Sequence, residues 1–167
     1  VDWIKNSFEK TGEKFSILDF CTGSGCIALA LDKTFPNGTI YATDVSEQAL
    51  DLAKENNRLN QLNVSFHQHD ILNEDVSFIS DESLDCIVSN PPYIPEKDKL
   101  QMSENVLAFE PHLALFVSNE NPLVFYQKIA EQGQIKLKTG GLLFFEIHEN
   151  LAKDTKNLLS QLKYHSI

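Results

Sequence analysis

A buried strand, a turn of small residues, a helix and a second buried strand follow one another in the first third of the chain. Apolar runs of buried-strand length occupy residues 15–20 and 39–44, and the helical pattern of residues 27–35 lies between them. The helical pattern stops at a Pro-Asn-Gly turn, which cannot continue a helix. Strand and helix patterns alternate to the end of the chain, a spacing typical of a parallel sheet with helices on both sides. The sequence therefore predicts an α/β fold with a doubly wound, mainly parallel sheet.

The later elements continue this alternation. Further strand patterns cover residues 64–71, 84–88 and 142–147, and residues 164–167 look like the start of another strand that is cut off. Helical patterns precede and separate them, at residues 1–11, 46–62, 123–137 and 150–162. In the helix that Ser46 caps, the apolar side chains expected on one buried face are Ala49, Leu52, Ala53, Leu59 and Leu62. Residues 95–122 form a long irregular connection, which is typical of a functional or a disordered segment, for example a lid that orders with substrate.

Composition excludes several classes of protein. The chain has 167 residues, enough for one domain with a sizeable core, and a formal net charge of −10 with no run of Lys and Arg. Such a surface repels phosphate backbones, so we expect no direct nucleic-acid partner. The three cysteines lack zinc spacing and suit small buried hydrophobes, so we expect no metal and a reducing cytoplasm. No apolar run reaches membrane-spanning length, so we expect no membrane contact. No signal peptide is visible, although the chain opens at Val1 without a methionine, as an excised piece would.

The strongest functional signal follows the fourth strand pattern, in residues 89–95 (Ser-Asn-Pro-Pro-Tyr-Ile-Pro). Two consecutive prolines cannot continue a strand ladder or enter a helix interior, so the chain must leave the sheet there as a stiff extended turn. Asn90 is thereby presented at the carboxyl end of a strand. In open α/β sheets that edge is where ligands bind.

This turn offers hydrogen-bond acceptors at fixed positions. The Asn90 side chain has one acceptor oxygen, and the carbonyl of Pro91 is a second because proline has no donor of its own. Tyr93 adds a flat face beyond Pro92. Two acceptors and an aromatic wall suit a planar group that carries an NH2, either an amide or an exocyclic amine. An Asn-Pro pair alone is more often an ordinary turn closing a strand, and only the full pattern behind a buried strand favours the functional interpretation.

A glycine-rich turn follows the first strand. Residues 23–28 (Gly-Ser-Gly-Cys-Ile-Ala) match the dinucleotide-binding pattern G-x-G-x-x-G/A, and Asp44 ends the next strand, where an acid can bind ribose hydroxyls. The glycines let the backbone approach a ligand, and the helix N-terminus attracts a negative group, either a pyrophosphate or an amino-acid carboxylate. Alone, this pattern fits an NAD-dependent oxidoreductase as well as any other enzyme of this kind.

Acidic residues at the strand ends narrow the choice of ligand. Asp19 lies just before the glycine turn, where a second negative charge disfavours a pyrophosphate but can face a cationic ligand. S-adenosylmethionine is such a ligand, because it carries an ammonium and a sulfonium. Asp44 and Asp70 close two later strands, so three acids are expected along one sheet edge. As an alternative, Asp19 and Asp70 suit solvated caps of the strand ends.

In their order along the chain, these motifs resemble the HemK/PrmC family of glutamine-N5 methyltransferases, which act on class-one peptide release factors. The matching segments are residues 19–25 (Asp-Phe-Cys-Thr-Gly-Ser-Gly), 43–46 (Thr-Asp-Val-Ser), 90–95, 109–111 (Phe-Glu-Pro), and 140–141 (Gly-Gly) followed by 145–147 (Phe-Glu-Ile). The resemblance covers nearly all of residues 15–160. It implies a Rossmann-like sheet of the S-adenosylmethionine-dependent methyltransferase type with its C-terminal strands truncated, and S-adenosylhomocysteine as the spent cofactor.

The resemblance also implies roles for individual residues. Around the methionine part of the cofactor it places Cys21, Thr22, Gly23, Ser24 and Gly25. It places Asp44 at the ribose, Asp70 and Ile71 at the adenine, and Asp19 and Asn90 among the other cofactor contacts. The residues that would hold the substrate glutamine are Asn90, Pro91, Pro92 and Tyr93, of which Asn90, Pro91 and Tyr93 would be catalytic. Cys21 stands where many members of the family have glycine.

The resemblance further divides the chain into two parts. Residues 1–12 correspond to a remnant of the helix that links a missing N-terminal docking domain, and residues 13–167 to a catalytic domain truncated at its C-terminus. The implied partner is a protein, a peptide release factor, and we expect a monomer. In the implied mechanism, the Asn90 oxygen and the Pro91 carbonyl hold both amide N–H groups, so that the nitrogen points at the methyl group of the sulfonium. The sequence nominates no general base.

Four alternatives remain open from the residues. An adenine-N6 methyltransferase for DNA or RNA uses a similar turn for the same physical reason, although the acidic balance counts against it. A glutamine methyltransferase for a ribosomal protein is closer still. An NAD dehydrogenase explains the glycines and Asp44 but not the double proline. Outside the enzymes, the chain could be a cofactor-binding piece with no activity of its own.

Overall fold

One five-stranded parallel sheet organises the molecule. The computed structural model describes residues 1–8, 14–95 and 116–167. The strands, in chain order, are β1 (Ser16–Phe20), β2 (Thr39–Asp44), β3 (Ser65–Gln68), β4 (Leu84–Ser89), the short pair β5 (Ile94–Pro95) and β6 (Phe116–Val117), and β7 (Leu137–Phe145). The main sheet has the order β3-β2-β1-β4-β7, with every pair parallel. The prediction of a doubly wound, mainly parallel sheet is confirmed.

Helices connect these strands. Within the described residues they are α1 (Asp2–Phe8), α2 (Cys26–Thr34), α3 (Glu47–Leu59), α4 (Val124–Lys136) and α5 (Ala152–Gln161), with one turn of 3-10 helix at Glu149–Leu151. Ser46 caps α3 as expected, because its hydroxyl accepts a hydrogen bond from the Ala49 N–H at 3.2 Å. No helix in this part of the chain is both long and apolar enough to cross a bilayer.

The strand order creates a switch point beside β1. The chain runs outward from β1 to β2 and β3, and then returns to β4 on the opposite side of β1. Connections therefore leave β1 and β4 in opposite directions, which opens a crevice at the carboxyl ends of these two strands. The turns that follow β1 and β4 both lie at this crevice.

The core lies on both faces of the sheet. Because successive strand residues point to opposite faces, Ile17 and Leu18 belong to different clusters, and so do Cys86 and Ile87. All four are fully buried. The face of Ile17 packs against α1 and α2, through Ile4, Ala28, Leu29 and Leu31. The face of Leu18 packs against α4 and the loop before β4, through Ile71, Val76, Ile79 and Ile129.

The predicted buried face of α3 was partly wrong. Leu52 and Leu59 were expected in the core, but they are 54% and 62% exposed. Leu50 and Ala53 are buried instead. The buried stripe continues from them through Asn56, a polar residue that satisfies a backbone group of the neighbouring turn. An apolar pattern therefore misassigned the helix face.

Strand boundaries differ from the prediction at β3 and β7. The strand expected over residues 64–71 is regular only for the four residues of β3. β7 begins earlier than predicted, because Leu137 already pairs with Leu84 before residues 138–141 depart from the register. Pairing resumes with Leu142 opposite Cys86. Gly140 and Gly141, which precede the strand predicted over residues 142–147, thus belong to an irregularity inside β7.

Residues 164–167 form no strand, contrary to the prediction. Tyr164 instead donates a hydrogen bond from its hydroxyl to the carbonyl of Ala130 in α4, at 2.8 Å. Its position is close-packed, since a Cβ on Gly133 would overlap the Tyr164 hydroxyl. A side-chain contact with α4 therefore fixes this segment in place of a strand ladder.

A small second sheet follows the turn at residues 90–93. Ile94 of β5 pairs with Phe116 of β6 in parallel register. The chain thus leaves this sheet at residue 95 and re-enters it at residue 116, at neighbouring positions. The lid predicted for residues 95–122, the Phe-Glu-Pro segment at 109–111 and the predicted end of the first helix fall largely outside the described residues.

Candidate active site

The register between β1 and β4 brings the two predicted motifs together. Phe20, the last residue of β1, is the partner of Ser89, the last residue of β4. The buried hydroxyl of Ser89 also donates a hydrogen bond to the carbonyl of Phe20, at 2.7 Å. The glycine turn and the Asn-Pro-Pro-Tyr turn therefore start side by side, about one strand spacing (~4.8 Å) apart.

The turn after β1 depends on left-handed backbone conformations. Cys21, Gly23 and Gly25 have φ values of 57°, 56° and 85°. Glycine adopts this region without steric cost, whereas Cys21 carries a side chain there. That geometry favours glycine at position 21, where this chain has cysteine. A Cβ added to Gly23 would meet no atom within 4 Å, so the backbone of this residue borders open space.

The carboxylate of Asp44 holds the glycine turn. One oxygen accepts a hydrogen bond from the Gly23 N–H at 2.8 Å, and the other accepts one from the Ser46 N–H at 2.9 Å. The backbone continues this link, because the Thr22 N–H donates to the carbonyl of Thr43 at 2.9 Å. Asp44 is half-buried and each carboxylate oxygen can accept further hydrogen bonds. Its structural role therefore leaves acceptor capacity for a ligand.

Asp19 is a buried acid behind the same turn. It is fully buried, and one oxygen accepts a hydrogen bond from the Thr22 hydroxyl at 2.6 Å. The other oxygen, Oδ1, has no hydrogen-bond partner among the described residues. Burial raises the pKa of Asp19 to about 7, although the Thr22 hydroxyl lowers it. A buried acid that lacks a full set of partners marks a candidate functional position.

The three predicted acids converge on one sheet edge. Burial raises the pKa of the Cys21 thiol, and the charges of Asp44, Asp19 and Asp70 raise it further. All three carboxylates therefore lie within electrostatic range of this one side chain. In the residues that the structure describes, no group of His, Cys, Asp or Glu is arranged to hold a metal ion. The edge is strongly negative, which suits a cationic ligand.

Asp70 closes β3 through a hydrogen-bonded turn. Its carboxylate accepts hydrogen bonds from the Leu72 N–H at 3.0 Å and from the Asn73 side-chain amide at 2.8 Å. Ile71 is buried in the core beside it, with 5% of its surface exposed. Asp70 therefore acts as a cap in this structure, the alternative that the sequence left open, and no described contact assigns either residue to an adenine.

Helix α3 supports the glycine turn from behind. A Cβ added to Gly25 would lie 3.1 Å from the Cβ of Ala53, so glycine permits this close approach. One turn further along α3, the Asn56 side-chain amide donates a hydrogen bond to the carbonyl of Ser24 at 3.0 Å. Sequence reasoning missed Asn56, because a polar residue in a helix carries no local sign of a contact 32 residues away.

The turn after β4 presents Asn90 to solvent on a buried base. Asn90 is exposed and its side chain has no hydrogen-bond partner among the described residues, whereas Pro91 and Pro92 are both buried. Tyr93 is half-buried, and its ring lies 6.1 Å from that of His148. The double proline thus packs into the protein and leaves the Asn90 amide available for a ligand.

Glu146 is a second residue that sequence reasoning left without a role. It follows the last residue of β7, and its carboxylate accepts a hydrogen bond from the Tyr93 hydroxyl at 3.1 Å. Its position in the Phe-Glu-Ile segment was noted, but nothing in the sequence links it to a residue 53 positions earlier. Only the pairing of β4 with β7 brings the two together.

A parallel sheet with its glycine turn and its exposed Asn90 at one switch point defines a Rossmann-like protein of the methyltransferase class. The family model described as "Methyltransferase small domain" matches residues 4–113. The chain belongs to this family.

Two curated relatives are similar over most of the chain. The release factor glutamine methyltransferase of Bacteroides thetaiotaomicron is 44% identical over 151 residues, 90% of this chain and 54% of that protein. The protein of the same name from Flavobacterium psychrophilum is 42% identical over 167 residues, 98% of this chain and 57% of that protein. The chain therefore spans about half the length of the curated relatives that it matches.

Solved structures of lower identity support the fold. TrmN from Thermus thermophilus has a TM-score of 0.64 and 23% identity, with 96% of this chain and 39% of that chain covered. PKMT2 from Rickettsia typhi, solved in complex with AdoHcy, has a TM-score of 0.53 and 21% identity, with 78% and 20% covered. At these identities the likeness extends to the fold alone.

Proposed function

We propose that the chain is the catalytic part of an S-adenosylmethionine-dependent methyltransferase that modifies the side-chain amide nitrogen of a glutamine in a protein. One observation carries this proposal: the exposed Asn90, whose side chain has no hydrogen-bond partner among the described residues, lies on a rigid double-proline turn directly beside the glycine turn of β1. That arrangement supports the proposal, because the reaction requires acceptors for an NH2 group close to a site for a nucleoside cofactor.

The residues present suit S-adenosylmethionine as the cofactor. Gly23 borders open space at the mouth of the crevice, and the buried Asp19 has one carboxylate oxygen free of partners among the described residues. Asp19 and Asp44 would face the positive charges of the cofactor, and Asp44 retains acceptor capacity for ribose hydroxyls. Cys21 through Gly25 would hold the methionine part, with Asp70 and Ile71 toward the adenine.

Asn90 and Pro91 would orient the substrate. A glutamine amide nitrogen is a poor nucleophile because its lone pair is delocalised. The Asn90 side-chain oxygen and the Pro91 carbonyl would each accept one N–H bond of the amide, and Tyr93 would pack against the amide plane. Charge that develops on the nitrogen strengthens both hydrogen bonds, so these acceptors stabilise the transition state more than the ground state.

When bound, S-adenosylmethionine supplies an electrophilic methyl group, so that the N–C bond forms as the C–S bond breaks and one amide proton is released. The buried Pro91 and Pro92 limit how far Asn90 can move during this step. The protein contributes mainly by orientation, since the described residues provide acceptors at the amide and no obvious base.

The proposed substrate is a class-one peptide release factor. Two relatives named release factor glutamine methyltransferase are more than 40% identical over at least nine-tenths of this chain, which supports the assignment. The net charge of −10 favours a protein substrate over a nucleic acid. We further propose that the protein acts as a monomer in the cytoplasm.

Mass spectrometry of a purified release factor, incubated with the chain and S-adenosylmethionine, tests this function. A gain of one methyl group on one glutamine is expected. Asn90→Ala should lower turnover at least a hundredfold while cofactor affinity changes little, because Asn90 acts on the amide. Asn157→Ala, an exposed position on α5, is the matched control.

Three outcomes would contradict the proposal. Unchanged turnover of Asn90→Ala would remove Asn90 from the reaction. Methyl gain on an oligonucleotide but not on the release factor would support an adenine-N6 methyltransferase. Cofactor binding without methyl gain on release factors or ribosomal proteins would identify a binding domain without activity of its own.

A further inference from the structure

Glu146 lies where three parts of the fold meet. It directly follows β7, and its backbone N–H donates a hydrogen bond to the carbonyl of Ser89 at 3.0 Å. Its own carbonyl accepts a hydrogen bond from the hydroxyl of Tyr126, at 3.2 Å. Tyr126 belongs to α4 and is fully buried. The backbone of Glu146 is therefore held from both sides, although its side chain is exposed.

The carboxylate of Glu146 reaches back to the turn that leaves β4. It accepts a hydrogen bond from the Tyr93 hydroxyl at 3.1 Å. The turn that contains Asn90 is thus attached at both ends to one residue: Ser89 bonds to the Glu146 backbone, and Tyr93 to the Glu146 side chain. The backbone of residues 89–93 and the two hydrogen bonds to Glu146 therefore form a closed loop of contacts.

We propose that Glu146 is a positioning residue for the methyl-transfer reaction, because it holds the Tyr93 ring against the plane of the substrate amide through the Tyr93 hydroxyl. The inference rests on the proposed function. A half-buried tyrosine next to an open crevice has freedom to rotate about its side-chain bonds, and the hydrogen bond to a fixed acceptor removes that freedom. The ring then narrows the space for the amide, so that its nitrogen stays in line with the acceptors on Asn90 and Pro91.

Four variants test the inference: Glu146→Ala, Glu146→Gln, Tyr93→Phe and the double variant Glu146→Ala with Tyr93→Phe. The protein is assayed with S-adenosylmethionine and a purified release factor. Glu146→Ala should lower kcat/KM about tenfold, the value of a typical hydrogen bond, and should leave cofactor affinity unchanged. Glu146→Gln keeps an acceptor oxygen and should retain most of the activity. Glu149→Ala removes an exposed acid three residues away and should behave as wild type.

The double variant separates positioning from a direct effect of the charge. If Glu146 acts through the hydroxyl, its removal should cost nothing further once Tyr93→Phe has removed that hydroxyl, so the losses should not add. Additive losses, or a Glu146→Gln variant as impaired as Glu146→Ala, would overturn the inference.

A second measurement is independent of activity. The pKa of Tyr93 is raised by burial and by the neighbouring Glu146 carboxylate, so a nuclear magnetic resonance titration of labelled tyrosines should show it falling in Glu146→Gln. An unchanged Tyr93 pKa would overturn the contact itself. If the titration shifts as expected while the wild-type chain methylates no glutamine, the proposed function fails and the link between Glu146 and Tyr93 stands.

Discussion

At the scale of single residues, Asp19 combines a structural cost with a proposed binding role. It is fully buried, and the Thr22 hydroxyl donates a hydrogen bond to its carboxylate. Burying a carboxylate with so few partners disfavours its charged form, which is why its pKa is raised to about 7. A cationic ligand in the crevice would favour the charged form again. In its proposed role, the residue would therefore exchange stability of the free protein for affinity toward such a ligand.

The substitution Asp19→Asn should make this exchange visible. In the wild type the folded state holds a proton that the unfolded state releases near 3.8, so the stability contributed by this group is complete below that pH and is lost as the pH rises through about 7. The substituted amide does not ionise, so the variant should gain on the order of 4 kcal/mol above pH 7. The difference in free energy of unfolding between Asp19→Asn and the wild type should grow between about pH 4 and pH 7 and then level off.

Urea unfolding across this pH range, in the absence of cofactor, measures the effect. Calorimetry with S-adenosylmethionine should show weaker binding by the same variant. If the free energy of unfolding changes with pH in the same way in wild type and in Asp19→Asn, Asp19 does not titrate in this range. Tighter cofactor binding by Asp19→Asn would contradict the proposed role of Asp19.

At the scale of elements, α3 and α4 each support a loop beside the crevice. Helix α3 supports the glycine turn through Ala53 and Asn56. Helix α4 supports the loop that follows β3, because the buried Gln132 accepts from the Val76 N–H at 3.2 Å and donates to the Asp75 carboxylate at 2.8 Å. These contacts fix the two loops against the helices behind them.

Removing the Asn56 amide should weaken cofactor binding. Asn56→Ala leaves the Ser24 carbonyl without its side-chain donor and frees the glycine turn to move. We expect cofactor affinity to fall roughly tenfold, the effect of one hydrogen bond, with a smaller change in the unfolding midpoint. Calorimetry gives the affinity, and Gln48→Ala on the exposed face of α3 is the control. If Asn56→Ala and Gln48→Ala bind the cofactor with equal affinity, Asn56 does not support the glycine turn.

Gln132 should matter for stability rather than for binding. Gln132→Leu would leave the Val76 N–H buried and unpaired, which costs about 1–3 kcal/mol of the free energy of unfolding. Chemical denaturation measures this loss, and Gln161→Leu, at an exposed position of α5, should cost far less. A Gln132→Leu variant as stable as wild type would show that the loop repacks without this link.

Sequence reasoning succeeded where the determinant is local and failed where it is tertiary. The double proline and the glycine turn fix their own backbone, so their places at the ends of β4 and β1 were predicted correctly. Asn56 and Glu146 contact residues 32 and 53 positions away, and no local pattern encodes those partners. The same limit explains Leu52, which an apolar pattern assigned to a face that the fold exposes.

At the scale of the whole molecule, buried ionisable groups limit stability at both ends of the pH range. Burial lowers the pKa of His67 and of His69, both of which lie under the loop that follows β3. His67 stacks on Phe78 at 4.0 Å, and His69 has no hydrogen-bond partner on either ring nitrogen among the described residues. Asp19 disfavours high pH, whereas these two imidazoles disfavour low pH.

Acidification should therefore destabilise the fold through the histidines. A lowered pKa means that the stability contributed by the neutral ring is complete above about 6.5, the ordinary value, and is lost as the pH falls through the folded-state pKa. The contribution of the histidines to the free energy of unfolding should decline as the pH falls below about 6.5, against the opposite slope that Asp19 contributes, and this contribution should be smaller in His69→Leu. The exposed His165→Leu is the control, and an equal slope in wild type and His69→Leu would contradict the assignment.

The pairing of Ile94 with Phe116 has a consequence for how such a protein diversifies. This pair joins β5, which directly follows the Asn90 turn, to the strand at which the described chain resumes. Insertions and deletions between the two strands would therefore leave intact the frame from which Asn90 projects, so related sequences can differ in length there at little structural cost.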